Sequence, residues 1–170
     1  PPLTAVPRTG PMPLSFGQQR LWFLHQMDPQ SAVYNIYEAM LLDAVDVPVL
    51  NRTLTEVVRR HETLRTTFQV IDGEPAQLIA APGPVAVTYV DLRALGNEAK
   101  VAELKRLKAE VASAPFDLAK GPLFRFVLLQ LTDNSFEMNV AQHHIVTDGW
   151  SLALFYSEVD AASGRIRYVN

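Results

Sequence analysis

Four histidines, His25, His61, His143 and His144, are the side chains of this 170-residue chain suited to moving protons near neutral pH. Only His143 and His144 are adjacent. They follow an apolar run and precede Ile145-Val146-Thr147-Asp148-Gly149-Trp150-Ser151, so the two imidazoles stand at a strand end where the chain turns toward a helix. An imidazole there can take a proton from a weakly acidic nucleophile or hold one in place. Neighbours on an extended chain point to opposite faces, so at most one ring can face a given cavity. The other is expected to pack inward with a hydrogen-bond partner, and the pair implies two different jobs. The bland alternative is a core histidine beside a partly exposed one. A metal site is disfavoured, because rings facing opposite ways do not chelate one ion and no His-Glu-x-x-His spacing is present.

Asp148, four residues after His144, has three roles open to it by spacing: orienting an imidazole, capping the following helix, or pairing with a buried arginine. Candidate cations lie in Arg59-Arg60-His61-Glu62-Thr63-Leu64-Arg65-Thr66-Thr67-Phe68. Arg59 reads as a solvated helix end, favourable to the macrodipole. Arg60 and Arg65 flank the entry to a strand, where a planar guanidinium can clamp Asp148 in a bidentate pair. Ser151 lacks the Gly-x-Ser-x-Gly surroundings of a nucleophile and reads as a helix cap. No glycine-rich phosphate loop occurs.

The elements that must hold these residues follow from apolar periodicity. Ser15 is expected to cap a helix to about Met27 whose apolar residues, Phe16, Leu21, Trp22, Phe23, Leu24 and Met27, run almost all round, so burial on more than one side is expected. Tyr34 to Leu42 reads as a strand. Asp46, with Pro48 in the first turn, caps a second helix to Arg60, with Leu50, Leu54, Val57 and Val58 as its apolar stripe. Leu64 to Ile71 and Pro75 to Ala80 flank Asp72-Gly73, a hairpin signal. Val85 to Val90 is a further short strand, and Glu98 to Ala114 a helix ended by Pro115. Leu123 to Leu131 and Phe136 to Ala141 read as paired inner strands across a polar turn. Ser151 to Ala162 is a last amphipathic helix. The mixture predicts an α/β (α+β) layered sandwich.

Composition bounds the class. With 48% apolar and 19% charged residues, the chain is ordinary for one soluble domain. A net charge of -3 gives no footprint for nucleic acid, and no apolar run reaches the length of a membrane span, so nucleic acid and membrane are not expected partners and the expected compartment is cytoplasmic. The cysteine count of 0 excludes disulfides and thiolate chemistry. Residues 1–12 are proline-rich and read as a linker, 13–162 as the domain, and 163–170 as a truncated or irregular tail.

Three stretches carry a family resemblance. They are Pro13-Leu14-Ser15-Phe16-Gly17-Gln18-Gln19-Arg20-Leu21-Trp22-Phe23-Leu24, Arg60-His61-Glu62-Thr63-Leu64-Arg65-Thr66-Thr67-Phe68 and His143-His144-Ile145-Val146-Thr147-Asp148-Gly149-Trp150-Ser151. In this order they resemble the opening motif, the Arg-His-Glu-x-Leu-Arg-Thr-x-Phe motif and the His-His-x-x-x-Asp-Gly signature of the condensation domain of nonribosomal peptide synthetases, with Gly17 where alanine is usual. The resemblance implies one chloramphenicol acetyltransferase-like lobe of a two-lobe domain, whose C-terminal lobe is missing from this chain. The implied activity of the full domain is acyl transfer: amide-bond formation between a donor acyl or peptidyl thioester and an acceptor aminoacyl thioester. Both substrates ride on phosphopantetheine arms of upstream and downstream peptidyl carrier domains, and the domain itself binds no cofactor or metal. This piece alone is expected to be inactive. By the same resemblance His144 is the catalytic imidazole, as general base or positioning group. Gly149 offers an oxyanion donor and His143 supports. Asp148 pairs with Arg60, or with Arg65 as second choice. Ser15, Gln18, Arg20, Trp22, Trp150 and Ser151 are motif residues. An epimerisation domain and a noncatalytic recruiting member are the alternatives; Trp150-Ser151 directly after Asp148-Gly149 favours condensation over epimerisation.

Overall fold

Two strands set the frame, because their alternating residues feed two separate cores. In the computed structural model, which describes residues 10–163 and the side chains of 10–160, these are β6 (Phe124–Gln130) and β7 (Ser135–His143). Phe124, Phe126, Leu128, Phe136, Met138 and Val140 join one core, whereas Val127, Leu129 and Ala141 join the other. The remaining elements are β1 (Met12–Pro13), α1 (Phe16–Met27), β2 (Asn35–Asp43), α2 (Val47–Arg60), β3 (Thr66–Ile71), β4 (Glu74–Ile79), β5 (Thr88–Asp91), α3 (Asn97–Ser113) and α4 (Gly149–Ser163). Most of the proline-rich lead-in (1–9) and nearly all of the tail (164–170) lie outside the described residues. Met12 and Pro13 pair with β4.

A four-stranded sheet runs β2-β7-β6-β5, antiparallel except for the parallel β5–β6 pair, and a three-stranded sheet runs β1-β4-β3. The parallel pair needs a crossover, which α3 supplies. The stripe of α2 and the inner side of α4 (Leu152, Phe155, Val159) cover one face of the larger sheet; Val111 of α3 helps cover the other. This is the mixed α/β layering expected from the sequence.

Local signals behave as their chemistry requires. Asp46 Oδ1 accepts from Val49 N–H at 2.9 Å and caps α2. Asp72 and Gly73 both take positive φ, +53° and +85°, as a two-residue hairpin turn demands. Two strands begin later than the apolar runs suggest. Glu62–Arg65 winds into a 3-10 turn before β3. Val85 and Val87 give their N–H groups to Thr55 Oγ1 and Asn51 Oδ1 of α2, both at 2.9 Å, so no ladder forms until Thr88. The burial expected for α1 is corrected as well. No residue of α1 is fully buried, and Phe16, Phe23 and Met27 are exposed; only Leu21 and Trp22 pack against the core.

The α3 face of the sheet is unusually polar. Tyr37 donates its hydroxyl to Asn139 Oδ1, Asn139 Nδ2 donates to Glu137 Oε1 at 3.1 Å, and Lys108 Nζ reaches Glu137 Oε2 at 3.1 Å. Burial, then the Glu137 charge, pushes the Tyr37 phenol up to about 12, so it stays a donor. The seam fastens α3 and β2 to β7. Asn139, fully enclosed, is its centre. Asn139→Ala strands the Tyr37 hydroxyl and is expected to cost about 1–3 kcal/mol in urea unfolding monitored by far-ultraviolet circular dichroism.

Candidate functional site

The end of β7 divides the histidine pair. His143 N–H donates to Leu123 O at 3.0 Å, and His144 N–H to Tyr34 O at 2.8 Å, so the backbone is held from both sides as the strand ends. Alternation then sends the His143 ring inward, to 3% exposure, and leaves His144 exposed.

The inner ring is clamped by its surroundings. Its Nδ1 accepts from Ile145 N–H at 3.1 Å, which leaves the proton of the neutral ring on Nε2. His25 and Phe116 approach edge-on, both with centroids at 6.3 Å, and Tyr34 lies at 6.5 Å. Phe116 is held in turn by Arg125, whose guanidinium carbon sits 3.7 Å above its ring centroid. Arg125 Nη1 also donates to Ala114 O, as does Asn35 Nδ2, so the C-terminus of α3 is tied to both β6 and β2. Burial, then the neighbouring His25 and His144, depresses the His143 imidazole to about 4.

The outer ring is fixed through one nitrogen. His144 Nδ1 lies 2.7 Å from Thr147 O. A carbonyl oxygen only accepts, so Nδ1 carries a proton, and in the neutral ring the lone pair then lies on Nε2. His144 lines an open groove of about 330 Å³ together with Ser15, Gln18, Leu21, Thr63 and Asp148. Ser15 and Gln18 form a capping box at the start of α1: Ser15 N–H donates to Gln18 Oε1 at 2.9 Å and Gln18 N–H to Ser15 Oγ at 3.3 Å. The opening motif therefore builds one wall of the groove. Within that motif Arg20 is exposed and Trp22 half-buried against the core.

The expected clamp between Asp148 and Arg60 or Arg65 is not formed. Asp148 Oδ1 accepts from Ser151 N–H at 2.8 Å and from Ser151 Oγ at 2.7 Å, while Leu152 N–H bonds to Asp148 O at 2.9 Å. Asp148, not Ser151, is thus the N-cap of α4. The reason is geometric: α4 begins at Gly149, so its unpaired N–H groups crowd around Asp148. Those Ser151 hydrogen bonds hold the Asp148 carboxyl below its usual range. Arg60 instead meets Glu158 at 3.2 Å, roughly 15 Å farther along α4 at 1.5 Å per residue, and Glu158 also holds His61 Nε2 at 3.0 Å. Arg65 donates to Ala80 O and lies 3.5 Å from Glu62. Gly149 opens α4 and is exposed, as is Trp150 at 84%. Among the described residues no cluster of three or more His, Asp or Glu could hold a metal, and no helix is long and apolar enough to cross a membrane.

The motifs do not reveal the Thr147 carbonyl, the Glu158 carboxylate, or the His25, Phe116 and Arg125 packing around His143. Thr147 lies within the signature, but its hydrogen bond involves backbone, which side-chain type does not encode. Glu158 pairs with residues nearly a hundred positions away.

A family model described as "Condensation domain" matches residues 9–162. The chain belongs to the condensation-domain family. It is 44% identical over 160 residues to a linear gramicidin synthase protein of Brevibacillus parabrevis, covering 94% of this chain and 3% of that protein. It is 42% identical over 165 residues to phosphinothricin tripeptide synthetase PhsC of Streptomyces viridochromogenes, covering 94% and 15%. Among solved structures, the starter condensation domain of rhizomide synthetase RzmA aligns with a TM-score of 0.82 at 27% identity, over 91% of this chain and 38% of that one. The first condensation domain of the CDA synthetase aligns with 0.81 at 26%, over 91% and 40%. The chain therefore spans a small part of the synthetases it matches and about two fifths of the solved condensation domains. Its architecture is that of the N-terminal lobe of a chloramphenicol acetyltransferase-like fold.

Two outcomes follow from this geometry. As the pH falls below 6.5 the unfolded chain takes up a proton at His143 that the folded chain refuses until about pH 4. Stability is therefore lost across that window and levels off below it, by on the order of 3 kcal/mol in all. Urea unfolding at pH 7, 5.5 and 4 is expected to show a shallower slope for His143→Phe than for the wild type. Asp148→Ala is expected to lower Tm by about 2–4 °C through the lost cap, whereas Arg60→Ala, at a 55% exposed side chain, leaves Tm within about 1 °C.

Proposed function

We infer that this lobe supplies the reacting imidazole for amide-bond formation between two carrier-bound thioesters. The observation that carries the reading is the single tautomer of His144, protonated on Nδ1 by its bond to Thr147 O and open at Nε2 in the groove. Condensation by thioester aminolysis needs an amine nitrogen with a free lone pair beside an acyl carbon. In this reading Nε2 accepts a hydrogen bond from the acceptor amine and orients it. As the C–N bond forms and the C–S bond breaks, the amine proton passes to Nε2 and on to the departing thiolate. The charge that develops on the carbonyl oxygen requires donors, and the N–H of Gly149 at the head of α4 is the candidate this lobe offers.

Donor and acceptor arrive on the phosphopantetheine arms of upstream and downstream peptidyl carrier domains, and the C-terminal lobe closes the other side of the groove. Residues 13–162 act as one lobe behind a proline-rich linker, in a cytoplasmic enzyme. His143 is a supporting residue: its ring is part of the packing from which His144 projects.

The test uses the complete domain with loaded donor and acceptor carriers, read by intact-protein mass spectrometry. Wild type is expected to transfer the donor acyl group to the acceptor carrier. His144→Ala is expected to lose at least about a hundredfold in rate, the usual scale of acid–base contributions, with Tm unchanged. Wild-type turnover by that variant removes His144 from the mechanism, and an inverted α-carbon without transfer assigns the lobe to epimerisation.

A further inference from the structure

A second recess adjoins the groove, beneath the first turns of α4. Alternation along β7 creates it. His143 turns to the α3 side, so Gln142 turns to the opposite face, the one that Val140 and Met138 occupy with apolar side chains. Gln142 is 1% exposed, and its Nε2 has no hydrogen-bond partner among the described residues. A buried donor left without an acceptor is penalised in a position that a leucine or methionine would fill without cost. The carboxamide lines a recess of about 100 Å³, room for roughly three waters or one short side chain.

The recess shares Thr63, Val146, Thr147 and Ser151 with the groove of His144, so the two spaces meet at the same four residues. The nearby charged groups are already engaged: Glu158 holds His61, and Ser151 holds Asp148. Leu64, Val146, Leu154 and Phe155 supply the apolar part of a mixed lining whose polar part is neutral apart from His61. This combination selects against a charged group and in favour of a short neutral one with an oxygen acceptor.

We propose that this recess is a substrate-selecting pocket, in which Gln142 Nε2 donates to the side-chain oxygen of a short, neutral, carboxamide-bearing aminoacyl substrate. The choice of an aminoacyl substrate rests on the function proposed above; the binding of a carboxamide does not. Two measurements separate the two. In the first, the 170-residue chain labelled with 15N is titrated with acetamide. Saturable shifts of the Gln142 side-chain N–H signals and of the Val146 and Thr147 amides are expected, and unmoved signals, meaning a pocket that holds structural water only, overturn the proposal. In the second, the complete domain receives asparaginyl and leucyl acceptors, which are close in size and differ in the carboxamide that replaces the two methyl groups. Gln142→Leu is expected to lower the asparaginyl-to-leucyl ratio of kcat/KM by about tenfold, with Gln142→Glu as the donor-weakened alternative should the first fail to fold. An unchanged ratio overturns the proposal. Absence of transfer to any acceptor overturns the condensation reading instead, and the acetamide titration then decides the pocket alone.

Discussion

The two backbone hydrogen bonds that end β7, to Leu123 O on one side and Tyr34 O on the other, are the constraint on which the site depends. They keep the chain extended through the histidine pair, and extension is what assigns the rings to opposite sides. The inner ring then becomes part of the packing, and the outer one meets the groove. A slip of one residue in the β2–β7 register would exchange their places and bury the imidazole that now lines the groove.

Behind that rung, the protein spends polar groups on stiffness. The Tyr37–Asn139–Glu137–Lys108 seam and the Arg125 and Asn35 bonds to the end of α3 work on the same face of the sheet, and both restrain the helix that precedes Phe116. Phe116 in turn limits the space open to His143. In front of the rung, the short loop from Ile145 to Asp148 performs two tasks with adjacent residues. The Thr147 carbonyl sets the tautomer of His144, and the Asp148 carboxylate starts α4.

What is legible from the residues alone is whatever depends on neighbours in sequence. The Asp46 cap, the Asp72-Gly73 turn and the splitting of the histidine pair all follow from local geometry, and the structure has them. Sequence and structure part where a distant group competes for the same atom. Asp148 can cap or pair by spacing, and α4, starting one residue later, claims it before any arginine can. Val85 and Val87 look like strand, but α2 side chains intercept their N–H groups. The α1 pattern suggests enclosure, yet most of that helix faces outward, with only Leu21 and Trp22 tucked against the core. The three motif stretches meet at one groove, while the partner of each motif residue depends on packing that motifs do not record.

The pairing of β2 with β7 joins Asn35 to His143 and Asp43 to Ser135, partners from opposite ends of the lobe. Contacts of such long range form only after a large stretch of chain has been drawn together, which makes them slow steps in folding. Helices and the β3–β4 hairpin are built from near neighbours and need no such closure. During synthesis, therefore, the groove lacks the His144 ring until the last quarter of the lobe has emerged and closed back on its beginning, so the nascent lobe passes through a long interval in which most of its elements exist and its groove does not.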